Sequence, residues 1–574
     1  MSLTRRRPVG AELIGDGADF RVWAPDRKSV SVVIDGSDFP LVRETDGHFR
    51  GFVAKARAGT RYRLRLDREK EKFPDPASRF QPDGPHGPSM VVDPAYPWRH
   101  AAWRGVNPKA LVIYEMHIGT FTPEGTLRSA IDQLQPLADL GINLLEVMPV
   151  NEFPGRFGWG YDGVDLWAPS HLYGTPDDFR LFVDSAHARG LGVILDVVYN
   201  HFGPDGCYLK NFAKDYFTSE KNEWGDVINF GVDGVREFIA ENAGYWIEEF
   251  HIDGLRLDAT QSIHDQSPEH IIKVIQRKAR EAARDRPIVI VAENEPQDVA
   301  LIKSYGVDAM WNDDWHHSAM VAATGEREAY YTDYRGAPEE FVTMAKSGFL
   351  YQGQWYSWQK SYRGTPSGDI PHEKFVCFLQ NHDQIANSAT GERIQFRTSP
   401  GIVRALTALL LLGPDTPMLF QGQEFASSAP FLYFADHKPE LASAVEKGRR
   451  QFMTQFPSIA TDKLAPPHDP ATFERCKLDH SEREKHVDAV ALHRELLQLR
   501  RPITRVDGAV LNEHAFFLRF DDDRMLIINL GPAFELDDVP EGRWEVRWSS
   551  EPVSLWRIPA ESAVLLEAVR YTRS

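Results

Sequence analysis

Val193–His201 reads VILDVVYNH, an apolar run that stops on an amide and an imidazole. Ile252–Asp258 (IDGLRLD), Ile288–Glu293 (IVIVAE) and Phe375–Asp383 (FVCFLQNHD) repeat the pattern, each run ending on acidic or histidine residues. Strands of a parallel sheet are buried on both faces and read as continuous apolar runs, and in a (β/α)8 barrel the chemistry sits at their C-terminal ends. The four runs predict an α/β fold built on a TIM barrel whose rim carries Asp258, Glu293 and Asp383. Three carboxylates on one rim can converge on one substrate atom, as two-carboxylate glycosidic chemistry requires.

Outward from these runs the chain alternates strand and helix. Leu111–Met116 (LVIYEM) is a first strand, Leu127–Leu140 its helix and Asn143–Met148 (NLLEVM) a second strand. Helices at Phe179–Arg189, Gly234–Phe250 and Pro268–Asp285 lead to strands at Gly192, Ile252 and Ile288. Val307–Trp311, Phe375–Leu379 and Pro417–Phe420 complete eight, with a helix at Ile402–Leu412. Before the barrel, Asp19–Trp23, Ser29–Ile34, His48–Val53 and Thr60–Leu66 are strands separated by Asp, Gly and Pro clusters. They predict an N-terminal immunoglobulin-like β-sandwich over residues 1–97, closing in a Pro-rich linker. Past residue 500, Ala515–Phe520, Arg524–Leu530, Trp544–Trp548 and Ala563–Val569 alternate like half-buried strands. The expected division is therefore a sandwich at 1–97, a catalytic barrel at 98–500 and a C-terminal β-sandwich at 501–574.

The 574 residues carry 65 Lys and Arg against 83 Asp and Glu, a net charge of -18. Such a balance repels phosphate backbones and anionic membranes, which excludes nucleic acid and membrane as expected partners. Cys207, Cys377 and Cys476 cannot all pair and show no ligand spacing. With no apolar stretch behind the basic N-terminus and no run of membrane-spanning length, the expectation is a cytoplasmic, monomeric protein.

Asp196-x-x-x-Asn200-His201, Gly254-x-Arg256-x-Asp258, Glu293 and Asn381-His382-Asp383, in that order, resemble the four signature regions of the α-amylase superfamily of glycoside hydrolases. Gly160-Tyr161 with Asp165 resembles its segment before strand three. Within the superfamily, Tyr114–Phe121 (YEMHIGTF), His251–Thr260 (HIDGLRLDAT) and Trp311–His317 (WNDDWHH) are similar to the maltooligosyltrehalose trehalohydrolase branch. Its members cut the α-1,4 bond next to a terminal trehalose on a malto-oligosaccharide. Branching enzymes, which are transglycosylases on α-glucans, have a similar first strand and are the alternative; WNDDWHH favours the hydrolase. A catalytically inactive, glycan-binding barrel is disfavoured because all three carboxylates are present. A metal-dependent barrel hydrolase is disfavoured because strand one ends in Tyr-Glu-Met-His rather than a His-x-His pair.

The resemblance implies a nucleophile at Asp258, kept ionised by Arg256, and an acid and base at Glu293, whose carboxyl is expected to titrate high because of nearby carboxylates. Asp383 is expected to bind sugar hydroxyls beside His382, with His201 and Tyr161 lining the same subsite, Tyr161 as a stacking platform. Asn200 is expected to orient its loop and Asp196 to support Arg256. Glu295, read on the same strand face as Glu293, is expected to contact substrate or loop. Trp159, Trp311 and Trp315 are candidate sugar platforms, and Asp314 and His316 candidate substrate contacts. A metal at Asp313, Asp314, His316 and His317 is not expected, since adjacent side chains on a strand or loop point apart and no third ligand appears. No cofactor is expected, and the partner is maltooligosyl trehalose or a related α-glucan.

Overall fold

Eight short parallel strands close on themselves in sequence order: β1 (Ile113–Met116), β2 (Leu144–Val147), β3 (Gly192–Val197), β4 (Gly254–Leu257), β5 (Val289–Ala292), β6 (Ala309–Trp311), β7 (Phe375–Phe378) and β8 (Thr416–Phe420), with β8 pairing back to β1. The structure is a computed structural model and describes residues 5–222, 225–536, 543–554 and 556–569; residues 1–4, where the basic N-terminus begins, lie outside that range. All eight expected strands are present, trimmed by a residue or two at their ends.

Side-chain parity sorts each strand. Ile113, Leu144, Ile194, Val289, Val291, Ala309, Trp311, Val376, Phe378 and Met418 form one apolar cluster inside the barrel. Leu255, Leu257, Ile290 and Cys377 belong instead to the larger cluster under the surrounding helices. Successive strand residues point to opposite faces, so Glu115, Glu146, Asp196, Arg256 and the residues that follow the strands on the same parity cap the interior cluster with charge. At β4 the packing is closest: Gly254 has φ +150°, and a Cβ there would lie 1.8 Å from the Val289 carbonyl oxygen.

Helices at Pro176–His187, Asp233–Glu249, Ile271–Ala283 and Pro400–Leu412 wrap the strands as expected. The helix expected over Leu127–Leu140 is two, Leu127–Ile131 and Leu134–Leu140. Pro136 has no amide hydrogen to offer the Asp132 carbonyl, and its ring crowds that oxygen, so the ladder breaks there. Trp311–His317 also differs from the strand or loop assumed for it: β6 ends at Trp311, and Asn312 caps a helix, Asp313–Thr324, by accepting from the Trp315 amide at 3.2 Å. Between this helix and β7 lie a further helix, Pro338–Ser347, and an antiparallel hairpin, Gln354–Tyr356 with Ser361–Arg363.

The N-terminal unit has two four-stranded sheets enclosing Phe20, Val22, Val32, Phe49, Leu64 and Leu66. At the other end, the last barrel-side helix stops at Leu499 and a five-stranded sheet begins at Val506. One face of that sheet, with Met525, Ile527 and Val564, covers a two-stranded sheet. The other face, with Phe516, Leu518, Leu526, Ile528 and Leu565, is continuous with the barrel's helical layer. There Phe341 of the 338–347 helix stacks on Phe516 at 5.4 Å.

Candidate active site

Arg256 organises the rim. It is wholly buried, and its Nη1 donates to both oxygens of Asp196 at 3.0 and 2.9 Å and to Asp258 at 2.6 Å, while Nη2 donates to Glu293 at 2.9 Å. Its guanidinium carbon lies 4.3 Å above the Trp311 ring, which fills the barrel just beneath. A fork of fixed geometry thus holds the exits of β3, β4 and β5 together. Asp196 takes the supporting place expected of it. Asn200 does more than orient a loop: its amide donates to Asp258 Oδ2 at 2.8 Å, so both oxygens of that carboxylate accept.

Glu293 follows β5 directly. Its carboxylate also accepts from the Ala259 amide at 2.9 Å, and its carbonyl accepts from the Thr260 amide and hydroxyl at 3.0 and 2.6 Å. Ala259, with φ +38°, turns its amide back toward β5, linking the two catalytic exits through the backbone. The Glu293 carboxyl is pushed up to about 8. Burial is the first cause; Arg256 opposes it, and Asp258, Asp383 and Asp313 add to it. The neighbouring carboxylates, offered above as the cause, come second to desolvation. Asp196 is likewise raised to about 7, chiefly by burial.

His382 is raised to about 9: burial works against its charge, but Asp383 and Glu115 outweigh it. Its Nδ1 lies 2.5 Å from Glu115 and its Nε2 3.4 Å from Asp383. Asp383, with a side chain 42% exposed, is the most open of the three carboxylates. Tyr161 stacks on His382 at 5.2 Å and donates to Asp196 at 2.7 Å, while His201 Nε2 sits 3.0 Å from the Tyr161 carbonyl. Trp159 donates its indole N–H to the Leu432 carbonyl and meets His382 edge-on. These side chains, with Tyr433, line a cleft of about 270 Å³ around Asp258, Glu293 and Asp383. A larger hollow of about 420 Å³ opens at the N-terminal ends of the strands beside Trp98, His187 and His251, remote from the carboxylates.

Three expectations are corrected and a fourth is narrowed. Glu295 lies in a turn beyond the end of β5, not on the Glu293 face of a strand, and of the two contacts expected for it makes the one with a loop, to Arg363 and Gln359 of the hairpin. Asp314 is fully buried: it accepts from Tyr334, from Arg363 Nε at 3.1 Å and from the Leu350 and Tyr351 amides, leaving nothing for substrate. His316 is buried with Nδ1 2.8 Å from the Leu379 carbonyl and Nε2 3.0 Å from the Tyr331 hydroxyl. A helix start hides these two residues, where an extended rim segment would have displayed them. Trp311 and Trp315 are core, the first inside the barrel and the second against Phe341.

Sequence reasoning missed the roles of Glu115 and Glu146. Both sit at one level on β1 and β2, and Glu146 is buried with neither carboxylate oxygen hydrogen-bonded. Glu115 carried a signal, an acid at the end of an apolar run; Tyr433 carried none, since it lies in the irregular chain after β8. Among the described residues, Glu44, Asp46 and His48 bring possible ligand atoms within 4.8 Å of one another. That group lies in the N-terminal unit, where Arg21 pairs with both acids.

Residues 95–226 and 208–438 match the alpha-amylase family, "Alpha amylase, catalytic domain". The malto-oligosyltrehalose trehalohydrolase of Deinococcus radiodurans is 40% identical over 85% of this chain and 81% of its own. The 1,4-alpha-glucan branching enzyme GlgB of Rhodococcus jostii is more distant, 29% identical over 72% of this chain and 60% of its own. Among solved structures, a putative alpha amylase from Salmonella typhimurium superposes with a TM-score of 0.92 at 39% identity, covering 98% of this chain and all of that one.

Proposed function

The chain belongs to the malto-oligosyltrehalose trehalohydrolase family within the alpha-amylase glycoside hydrolases, and on that premise we propose that it is a retaining hydrolase releasing trehalose from maltooligosyl trehalose. The observation that carries the mechanism is the single guanidinium of Arg256 spanning Asp258 and Glu293. One guanidinium hydrogen-bonded to both carboxyls holds them on the same side of the cleft, which supports the close pairing of about 5–5.5 Å that retaining enzymes use. An inverting enzyme needs about 6.5–9.5 Å to admit water between them.

Each residue has one task in two steps. Asp258, with Arg256 and Asn200 on its oxygens, attacks the anomeric carbon as the carbon–oxygen bond to the leaving sugar breaks. Glu293 gives its proton to that oxygen, and trehalose departs as a neutral alcohol. Glu293, now ionised, takes a proton from water; the water oxygen bonds to the anomeric carbon and releases Asp258. Asp383 and His382 hold hydroxyls of the ring as it flattens, and Tyr161 packs against it. Arg256 cancels part of the negative charge beneath the site, while burial keeps Glu293 protonated.

The protein acts in a reducing cytoplasm on a neutral oligosaccharide, in agreement with its acidic charge and its three free cysteines. Among the described residues no helix is long and apolar enough to cross a membrane. Product analysis on maltotriosyl trehalose and on amylose tests the reading. Maltotriose and trehalose form from the first, with the new reducing end appearing as the α anomer by NMR before mutarotation. New α-1,6 linkages from amylose would establish a branching enzyme instead.

A further inference from the structure

Asp313 is the carboxylate of the WNDDWHH segment that accepts no hydrogen bond among the described residues, and nothing in the chemistry above uses it. Strand β6 lies between β5 and β7, so the residue that leaves it stands between the exits bearing Glu293 and Asp383. Ala309 and Trp311 fill the barrel interior, and Asp313 is the first helical residue after Asn312. Asn312 already caps that helix, so the Asp313 carboxylate is not needed to close its first turn. Consecutive helical residues diverge by roughly 100°. Asp314 takes the inward direction and spends its oxygens on Tyr334, Arg363 and two amides, whereas Asp313 is only 9% exposed yet accepts no hydrogen bond from any described residue. Burial raises its carboxyl to about 7, Arg363 opposes that and Glu295, Asp314 and Asp383 add to it, and Asp313 in turn raises Glu293.

A nine-tenths buried carboxylate without a partner is costly unless a ligand supplies the missing donors. We propose that Asp313 is a specificity-determining contact, accepting hydrogen bonds from hydroxyls of the departing sugar on the far side of the bond that Glu293 protonates. Glu293 faces the glycosidic oxygen, Tyr161, His201 and Asp383 surround the ring that Asp258 attacks, and the unpartnered oxygens next to Glu293 remain for the other sugar. A glucosyl hydroxyl can donate to the Asp313 carboxylate, and a ring with altered linkage moves those hydroxyls relative to it. The inference rests on the hydrolase reading of this cleft and names the residue that reads its leaving group.

The test is Asp313→Ala beside Asp313→Asn, each assayed on maltotriosyl trehalose and on nitrophenyl α-maltotrioside, whose leaving group has no sugar hydroxyls. Asp313→Ala is expected to lower kcat/KM on the trehaloside by on the order of 10- to 100-fold, the cost of a lost charged hydrogen bond. The aryl glycoside is expected to stay within about threefold under the same reasoning, since it never made that bond. Asp313→Asn keeps an acceptor and is expected to fall between Asp313→Ala and wild type. Equal losses on both substrates would place Asp313 in the electrostatics of Glu293 or in the fold, and no loss on the trehaloside would remove it from the site; either overturns the proposal. If the wild-type enzyme cuts maltopentaose as fast as maltotriosyl trehalose, the trehalose reading fails by itself. The same pair of variants on maltopentaose against the aryl glycoside then decides the Asp313 contact, with the same expected difference.

Discussion

Raising the pH from 7 to 9 is the perturbation that most directly probes the site. Glu293 must carry its proton when substrate arrives, and its carboxyl titrates at about 8. With that midpoint, roughly nine-tenths of the enzyme is competent at pH 7 and about one-tenth at pH 9, so kcat/KM on maltotriosyl trehalose falls about tenfold between them. The quantity to measure is kcat/KM, because it reports the free enzyme and hence the uncomplexed site described here. An aryl glycoside with an activated leaving group serves as the control: it needs little protonation, so its alkaline limb is expected to be shallow. The same group gives a stability signature of defined sign. A carboxyl raised in the folded state stabilises the fold fully below its unfolded value of about 4.5, and that contribution is lost as pH rises through about 8. Glu293→Gln removes the loss, so its Tm at pH 9 should exceed that of wild type even as its turnover of the natural substrate collapses. An alkaline limb falling below about pH 6, or one equally steep with the aryl substrate, would refute the assignment of Glu293 as the buried acid.

Asp258→Asn should abolish turnover with an unchanged melting curve, because an isosteric amide still fills the space between Arg256 and Asn200 but cannot form the covalent intermediate; activity above a few per cent of wild type, on the order expected from residual binding effects alone, counts against it. Asp314→Ala should destabilise by about 3–5 kcal/mol, since it strips a buried partner from Arg363 and three other donors; an unaltered Tm would return Asp314 to the list of substrate contacts. EDTA should leave the rate unchanged, because two carboxyls complete the proposed chemistry; activity lost and then restored by one added divalent metal would require a different mechanism.

The barrel was legible because buried parallel strands leave a signal in composition alone, and each polar or charged run end lies at or within a few residues of its strand's end. That Asp258, Glu293 and Asp383 stand at exits of one rim followed from those runs, and the roles proposed for them from the family resemblance. Other features depended on local events that periodicity does not carry. Asn312 begins a helix, and Asp314, expected at the rim, is buried there against Arg363 and Tyr334. Glu295 leaves the Glu293 face because β5 ends at Ala292 and the chain turns. The hairpin that captures Glu295 lies some sixty residues downstream, and a pairing at that separation has no signature in a single sequence. Glu146 was hidden for the opposite reason: it interrupts an apolar strand, where a carboxylate reads as an ordinary break in the pattern.

The two-faced C-terminal sheet bears on how this enzyme can be taken apart. A module appended through a linker can be deleted, swapped or inherited separately. This sheet cannot, because Phe516, Leu518, Ile528 and Leu565 complete the apolar layer over the barrel's own helices, and Arg404 and Ser399 of the 400–412 helix bind Glu551 and Glu561 across the junction. A barrel cut off near residue 500 would present that layer to water and associate through it rather than remain dispersed. A C-terminal unit exchanged into this chain is therefore expected to need the 338–347 and 400–412 helices with it, so that the transferable unit is larger than the boundary between helix and strand suggests.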